Sequence, residues 1–184
     1  MPYEGFQVTI VLWGKNGMYF DIERAVSEWN GYTVWYYRSY RTFNLTLYEG
    51  WNLISITLIL PNSSVSYVFG DKVTTVYEWD AVNKKYVEVD KIEPGKGYWV
   101  YATENCFVVL HGASLWEVNI TLYDGWNLIG SIIVNNTVDG NVSNAYYVWD
   151  PLEKRYVAKD YIAPGEGAWA LSYGNQTAEI IPKE

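Results

Sequence analysis

Leu47-Tyr48-Glu49-Gly50-Trp51-Asn52-Leu53-Ile54-Ser55 returns further along the chain as Leu122-Tyr123-Asp124-Gly125-Trp126-Asn127-Leu128-Ile129-Gly130, with seven of the nine positions identical. Two further landmarks follow each copy. Tyr77-Glu78-Trp79-Asp80 with Lys85-Tyr86-Val87 recurs as Tyr147-Val148-Trp149-Asp150 with Arg155-Tyr156-Val157. Ile92-Glu93-Pro94-Gly95-Lys96-Gly97-Tyr98-Trp99 recurs as Ile162-Ala163-Pro164-Gly165-Glu166-Gly167-Ala168-Trp169. Ordered self-similarity at a fixed spacing is the mark of a repeated supersecondary unit. The first landmark repeats after 75 residues (47 to 122) and the others after 70 (77 to 147, 92 to 162), so the variable segment lies between the first and the second.

Each landmark reads as β-structure. In Glu-Gly-Trp-Asn-Leu-Ile the glycine can take a positive φ that turns one strand into the next, and the apolar run after it has the length of a buried strand. Between Trp79 and Tyr86 lies a polar segment whose Asp and Asn can bond their own backbone, which predicts a hairpin of four or five loop residues; Asp150-Pro151 fits the same turn. Pro94-Gly95 and Pro164-Gly165 supply the pair that a type II turn requires. Aromatic strands follow at 98–102 and 168–172. Repeats share what packs, so Trp51, Trp126, Trp79, Trp149, Trp99 and Trp169 are expected to form the repeat core.

The chain has 184 residues, 49% of them hydrophobic and 18% aromatic, enough for a sizeable core in one domain or two small ones. Eighteen Tyr and ten Trp against five Phe favour positions where an apolar body meets a polar tip, in shallow cores and at interfaces. A net charge of −8 with no basic cluster argues against nucleic acid as a partner. The one cysteine, Cys106, cannot close an internal disulfide and reads as an apolar core residue. No run has the length of a membrane span, and no basic-then-apolar signal opens the chain. Six Asn-x-Ser/Thr sequons stand at Asn44, Asn62, Asn119, Asn135, Asn141 and Asn175, where about one or two would arise by chance. They suggest either a glycosylated exterior surface or simply an Asn/Thr-rich β-protein.

Ahead of the repeats, 5–13 reads as a strand and Lys15-Asn16-Gly17 as a hairpin turn. Tyr3-Glu4-Gly5-Phe6 echoes Tyr48-Glu49-Gly50-Trp51, so 1–43 can be a degenerate first repeat. Residues 21–29 are expected to be a short helix, because Asp21 can cap it and Ile22, Ala25, Val26 and Trp29 share one face, with Asn30-Gly31 ending it. An aromatic strand is expected over 32–40. The expected fold is thus all-β: two tandem antiparallel β-modules of about 70 residues, 44–114 and 115–184, small barrel- or sandwich-like, behind an N-terminal segment at 1–43.

Catalytic chemistry finds little footing. His111 is the only histidine and reads as a surface residue on a strand; no zinc, calcium, phosphate-loop, dinucleotide or nucleophile-elbow pattern is present, and no metal or cofactor is expected. Pairs such as Asp80 with Asp90, or Asp150 with Asp160, have the residue types of a glycosidase, which leaves a hydrolase as a distant alternative; their hairpin placement favours turn capping.

The combination Gly-Trp-Asn-Leu-Ile, Tyr-x-Trp-Asp and Pro-Gly-x-Gly-x-Trp resembles the tandem β-repeat modules of secreted and surface proteins of archaea and bacteria, over about residues 43–184. The resemblance implies a non-catalytic, extracytoplasmic module, usually part of a larger chain, and carries over no catalytic or binding residue. Ala168 departs from it where Tyr98 stands in the first copy, which bears on any aromatic platform shared by the two copies.

The expected function is therefore a non-enzymatic structural or adhesive role on an exterior surface: cell envelope, filament or virion. Its partners would be other copies of itself or other surface or virion proteins, without nucleic acid and without membrane insertion. Pairing through a charge-free strand at 6–13 or the Tyr-rich strand at 32–40 is one route to such assembly. The alternative is a carbohydrate-binding module, with Tyr36, Tyr37, Tyr40 and Tyr101 as the first candidates for stacking on sugar rings.

Overall fold

The computed structural model describes residues 25–29, 32–36 and 40–183. These residues form sixteen strands and one five-residue helix. Among them no helix is long and apolar enough to cross a membrane. The expected strand over 5–13, the hairpin at 15–17, any degenerate repeat before residue 25 and Tyr37 lie outside the described residues.

The first departure from expectation comes at once. Residues β1 (Ala25–Trp29) and β2 (Tyr32–Tyr36) pair antiparallel, so 25–29 is a strand and not the predicted helix. Nine helical residues would be marginal by themselves. The register joins Trp29 to Tyr32, and the sequence between them is Asn30-Gly31, the dipeptide that most favours a two-residue hairpin connection. Tyr-Thr-Val-Trp-Tyr opposite is rich in strand formers.

The remaining strands fall into two sets. The first comprises β3 (Tyr40–Leu47), β4 (Gly50–Ile54), β5 (Leu58–Ile59), β6 (Val73–Asp80), β7 (Lys85–Glu88), β8 (Tyr98–Ala102) and β9 (Cys106–Ser114), with α1 (Val65–Phe69) between β5 and β6. They make a three-stranded sheet ordered β3-β9-β5 and a four-stranded sheet ordered β4-β8-β6-β7. The second comprises β10 (Val118–Leu122), β11 (Gly125–Ile129), β12 (Asn136–Asp139), β13 (Tyr146–Asp150), β14 (Arg155–Lys159), β15 (Ala168–Ser172) and β16 (Gln176–Pro182). Its sheets are β10-β16-β12 and β11-β15-β13-β14. Among the described residues all ladders are antiparallel and no sheet closes on itself, so of the two expected forms the sandwich is the one seen and the barrel is not. The first set begins at Tyr40, a little before the expected 44.

Each set of sheets encloses its own core. Leu45, Leu47, Val108 and Leu110 from the three-stranded sheet meet Ile54, Val76, Tyr98, Val100 and Ala102 from the four-stranded one. Leu122, Val138, Ala178 and Ile180 meet Ile129, Tyr146, Val148, Ala168 and Ala170 in the second. Cys106 is only partly buried, at the margin of the first core. The turns behave as their chemistry requires. Gly50 and Gly125 have φ of 96° and 95°, and Gly95 and Gly165 have 82° and 88°. Asp80 Oδ1 accepts hydrogen bonds from Val82 N and Asn83 N, and Asp150 Oδ1 from Leu152 N and Glu153 N, closing four-residue hairpin loops. Those two carboxylates are turn caps, and Asp160 pairs with Lys183 at 2.6 Å.

The tryptophans are the second correction. In β8, Tyr98, Val100 and Ala102 point into the core while Trp99 and Tyr101 point away from it; in β4, Trp51 pairs with Tyr101 on that outer side. Trp51 is 42% exposed and Trp126 45%, and Trp79, Trp99, Trp149 and Trp169 are only half-buried. The six form no core; they line the outer faces of the two four-stranded sheets. What the core takes from Gly-Trp-Asn-Leu-Ile instead is the asparagine. Asn52 Oδ1 accepts from Tyr48 N at 2.9 Å, while its Nδ2 donates to Tyr48 O at 2.7 Å and Gly50 O at 2.9 Å. Asn127 repeats these three bonds to Tyr123 and Gly125. A buried amide is tolerated when its hydrogen bonds are met, and here they hold the turn that starts each strand.

Candidate functional site: two composite aromatic clefts

The two four-stranded sheets meet through reciprocal backbone contacts. Gly97 N donates to Leu128 O at 3.3 Å and Gly167 N to Leu53 O at 3.2 Å; Gly130 N donates to Gly95 O and Ser55 N to Gly165 O, both at 2.9 Å. No side chain would fit at the crossing, because a Cβ on Gly97 or Gly167 would stand 2.6 Å from the carbonyl oxygen of Ile129 or Ile54. That accounts for the second glycine of each Pro-Gly-x-Gly. A buried hydroxyl pair sits beside it: Ser131 Oγ lies 2.6 Å from Ser55 Oγ, Ser55 Oγ donates to Glu166 O, and Ser131 Oγ accepts from Gly165 N.

This crossing lays the indoles of each half over the other. Trp79 Nε1 donates to Trp126 O and Trp149 Nε1 to Trp51 O, each at 3.0 Å. Trp99 meets Trp149 with ring centres 5.4 Å apart at 71°, and Trp169 meets Trp79 at 5.3 Å and 78°. Trp169 Nε1 donates to Tyr156 Oη at 3.1 Å, and the Tyr86 hydroxyl takes a hydrogen bond from Trp99. Burial holds that Tyr86 hydroxyl above its ordinary pKa, against the lowering effect of the Trp99 bond.

Two clefts result. The first, about 470 Å³, is lined by Trp51, Tyr77 and Trp99 of the first half, by Trp149 and Tyr156 of the second, and by Tyr86. The second, about 610 Å³, is lined by Trp126, Tyr147 and Trp169 of the second half, by Trp79 and Tyr86 of the first, and by Tyr156. Both volumes fall in the range of small-ligand sites. Neither half alone can build either cleft.

The ladder registers fix what else faces this side. Strand positions on it are Trp51, Leu53, Thr75, Tyr77, Trp79, Tyr86, Glu88, Trp99 and Tyr101 in the first half. In the second they are Trp126, Leu128, Tyr147, Trp149, Tyr156, Ala158, Trp169 and Leu171. Among these positions there is no lysine or arginine, and one charged residue, Glu88. It lies across the ladder from Tyr77 and accepts a hydrogen bond from Thr75 Oγ1 at 3.0 Å.

Of the tyrosines expected to bind, Tyr101 is on this face, packed on Trp51 at 5.2 Å. Tyr40 is in β3 of the other sheet, Tyr36 is in β2, and Tyr37 is not described. Tyr98 is fully buried, so its replacement by Ala168 leaves the aromatic face untouched. His111 is exposed, with Thr42 Oγ1 3.0 Å from its Nδ1, and the described residues hold no cluster of metal-ligating side chains. The sequence signal for the clefts was present in the repeated Trp and Tyr themselves; alternation in strands assigned them to one face without saying which. Comparison of this chain with protein families, curated proteins and solved structures finds no match to any of them.

Proposed function

We propose that this chain is a non-enzymatic adhesive module of an exterior surface, on a cell envelope, filament or virion, and that it binds through the paired aromatic clefts. The observation that carries the reading is the open apolar face itself: Trp51, Trp126, Tyr86 and Tyr156 keep between 42% and 48% of their surface exposed on a face without lysine or arginine. Soluble proteins seldom leave large rings open in one contiguous patch unless something docks there. The cleft linings offer no acid–base pair, and Asp80 and Asp150 are committed to turns.

The exterior placement draws support from the sequons. All six asparagines, Asn44, Asn62, Asn119, Asn135, Asn141 and Asn175, are exposed, and none lies on a strand of the aromatic sheets. Glycans attached there would leave the clefts bare. The carbohydrate-binding alternative uses the same open rings as stacking platforms.

The test is retention of labelled full-length protein on immobilised envelope polysaccharide, a glycan array and whole cells, beside the Trp51→Ala/Trp126→Ala double variant. Saturable binding by the parent, lost in a double variant with unchanged circular dichroism, is the expected result. Retention that survives the double variant would place adhesion elsewhere, and turnover of any arrayed glycan would overturn the non-enzymatic reading.

A further inference from the structure

We infer that the first cleft, around Trp51, Tyr77, Trp99 and Trp149, takes a trimethylammonium group of the choline type; this rests on the binding role proposed above and names its ligand. Among the indoles of this lining, Trp149 spends its N–H on Trp51 O and Trp99 spends its own on Tyr86. The polar groups left to this cleft are the Trp51 N–H and the hydroxyls of Tyr77, Tyr86 and Tyr156, few for the ring surface that surrounds them. A sugar or a peptide backbone brings several donors and acceptors, each needing a partner once water is displaced, and a wall of rings with a few phenol hydroxyls cannot supply them. A primary ammonium has the same difficulty, with three N–H groups to satisfy. A quaternary ammonium has none: its charge is spread over methyl groups that need contact alone.

Ring geometry points the same way. A flat sugar face is matched by one open ring or a row of coplanar rings. In this lining Trp51 stands to Trp99 at 89°, Trp99 to Tyr156 at 79° and Trp99 to Trp149 at 71°, with Tyr77 tilted 42° to Trp51. Walls at right angles form a box, and a box of ring faces attracts a cation through the negative face of each quadrupole. Charge completes the match. No lysine or arginine stands on the aromatic strand positions to repel a cation, the chain carries −8, and Glu88 lies across the ladder from Tyr77, one of the rings of this cleft. The second cleft has Ala158 across from Tyr147, so it is the weaker of the two.

The experiment follows indole fluorescence of the full chain on titration with choline chloride and tetramethylammonium chloride, at ionic strength held constant with sodium chloride. The uncharged isostere 3,3-dimethyl-1-butanol serves as control. Saturable binding of both cations is expected, at least about tenfold tighter than of the neutral isostere, since desolvated cation–π contacts carry energies of that order. Glu88→Gln, an exposed change that leaves the fold intact, should weaken the tighter site several-fold; Trp51→Ala should abolish it, and Trp126→Ala should spare it. Equal binding of the isostere, or no saturable binding of either cation, overturns the assignment. If choline fails while binding to polysaccharide or cells is still lost in the double Trp variant, the ligand class falls and the adhesive role stands. If both fail, both fall.

Discussion

The two clefts are built from matching residues and yet differ, and the differences are not scattered. The rings that reach across to the other half are the same in both copies: Trp79 and Trp149, Tyr86 and Tyr156, Trp99 and Trp169. The rim has diverged, with Tyr101 against Leu171 and Glu88 against Ala158. Trp51 tilts 42° to Tyr77, whereas Trp126 stands at 76° to Tyr147. Behind the sheet the core has been traded rather than kept. Val76 and Tyr98 in the first half stand where Tyr146 and Ala168 stand in the second, so one buried phenol has moved to a different strand. Each phenol still accepts a backbone hydrogen bond, Tyr98 from Glu93 N at 2.7 Å and Tyr146 from Val138 N at 2.8 Å. Cores accept redistribution of volume, while a two-sided contact constrains both partners at once.

The crossing indoles carry the largest expected effect. Trp149→Ala and Trp79→Ala each remove one donor bond and two edge-to-face ring pairs, one of them across the halves, and each should lower stability by about 3 kcal/mol in urea denaturation. Costs differing by more than about 1 kcal/mol would show that the two crossings are not equivalent.

The traded phenol offers the next test. Burial pushes the Tyr98 hydroxyl up to about 12. The unfolded chain ionises this group near pH 10 and the folded chain does not, so its contribution is intact below pH 10 and is lost as pH rises toward 12. The loss should reach about 2–3 kcal/mol. Tyr98→Phe gives up the bond from Glu93 N and starts lower, but its stability should fall less steeply over that window. Identical slopes would remove Tyr98 from the alkaline transition.

Ser55 stands where the other copy has Gly130, so the buried hydroxyl pair exists on one side of the crossing only. Ser55→Ala leaves Ser131 N and Ser131 Oγ without this partner and should cost about 2 kcal/mol by thermal or urea unfolding. An unchanged midpoint would mean the pair contributes nothing to holding the halves. The smallest effect belongs to the rings first expected at the centre: nearly half exposed, Trp51 and Trp126 should each cost about 1 kcal/mol on change to Ala, well below a buried aromatic.

Much of the fold could be read from residues whose chemistry is local. Asp80 with Asn83, Pro94-Gly95 and Gly50 each fix a turn by themselves, and the strands between them follow. Local rules failed at 25–29, where one apolar pattern suits a helix face or a strand and pairing with 32–36 decided. They failed again at Trp51-Asn52, where hydrophobicity buries the indole and exposes the amide. The fold does the reverse, because Asn52 finds three backbone partners within four residues and Trp51 finds its partner in Trp149, 98 residues away. No window along the chain contains that second contact.

The reciprocal bonds Trp79 to Trp126 O and Trp149 to Trp51 O also have a mechanical meaning. Pulling on the two ends of 40–182 would load the crossing of the halves, and each cleft straddles it. An occupant seated in either cleft must leave before the halves can part, so it adds its binding free energy to the work of separation. Under tension an occupied cleft would then act as a latch: a tether built of such chains would stretch at lower force when empty than with the proposed ligand bound.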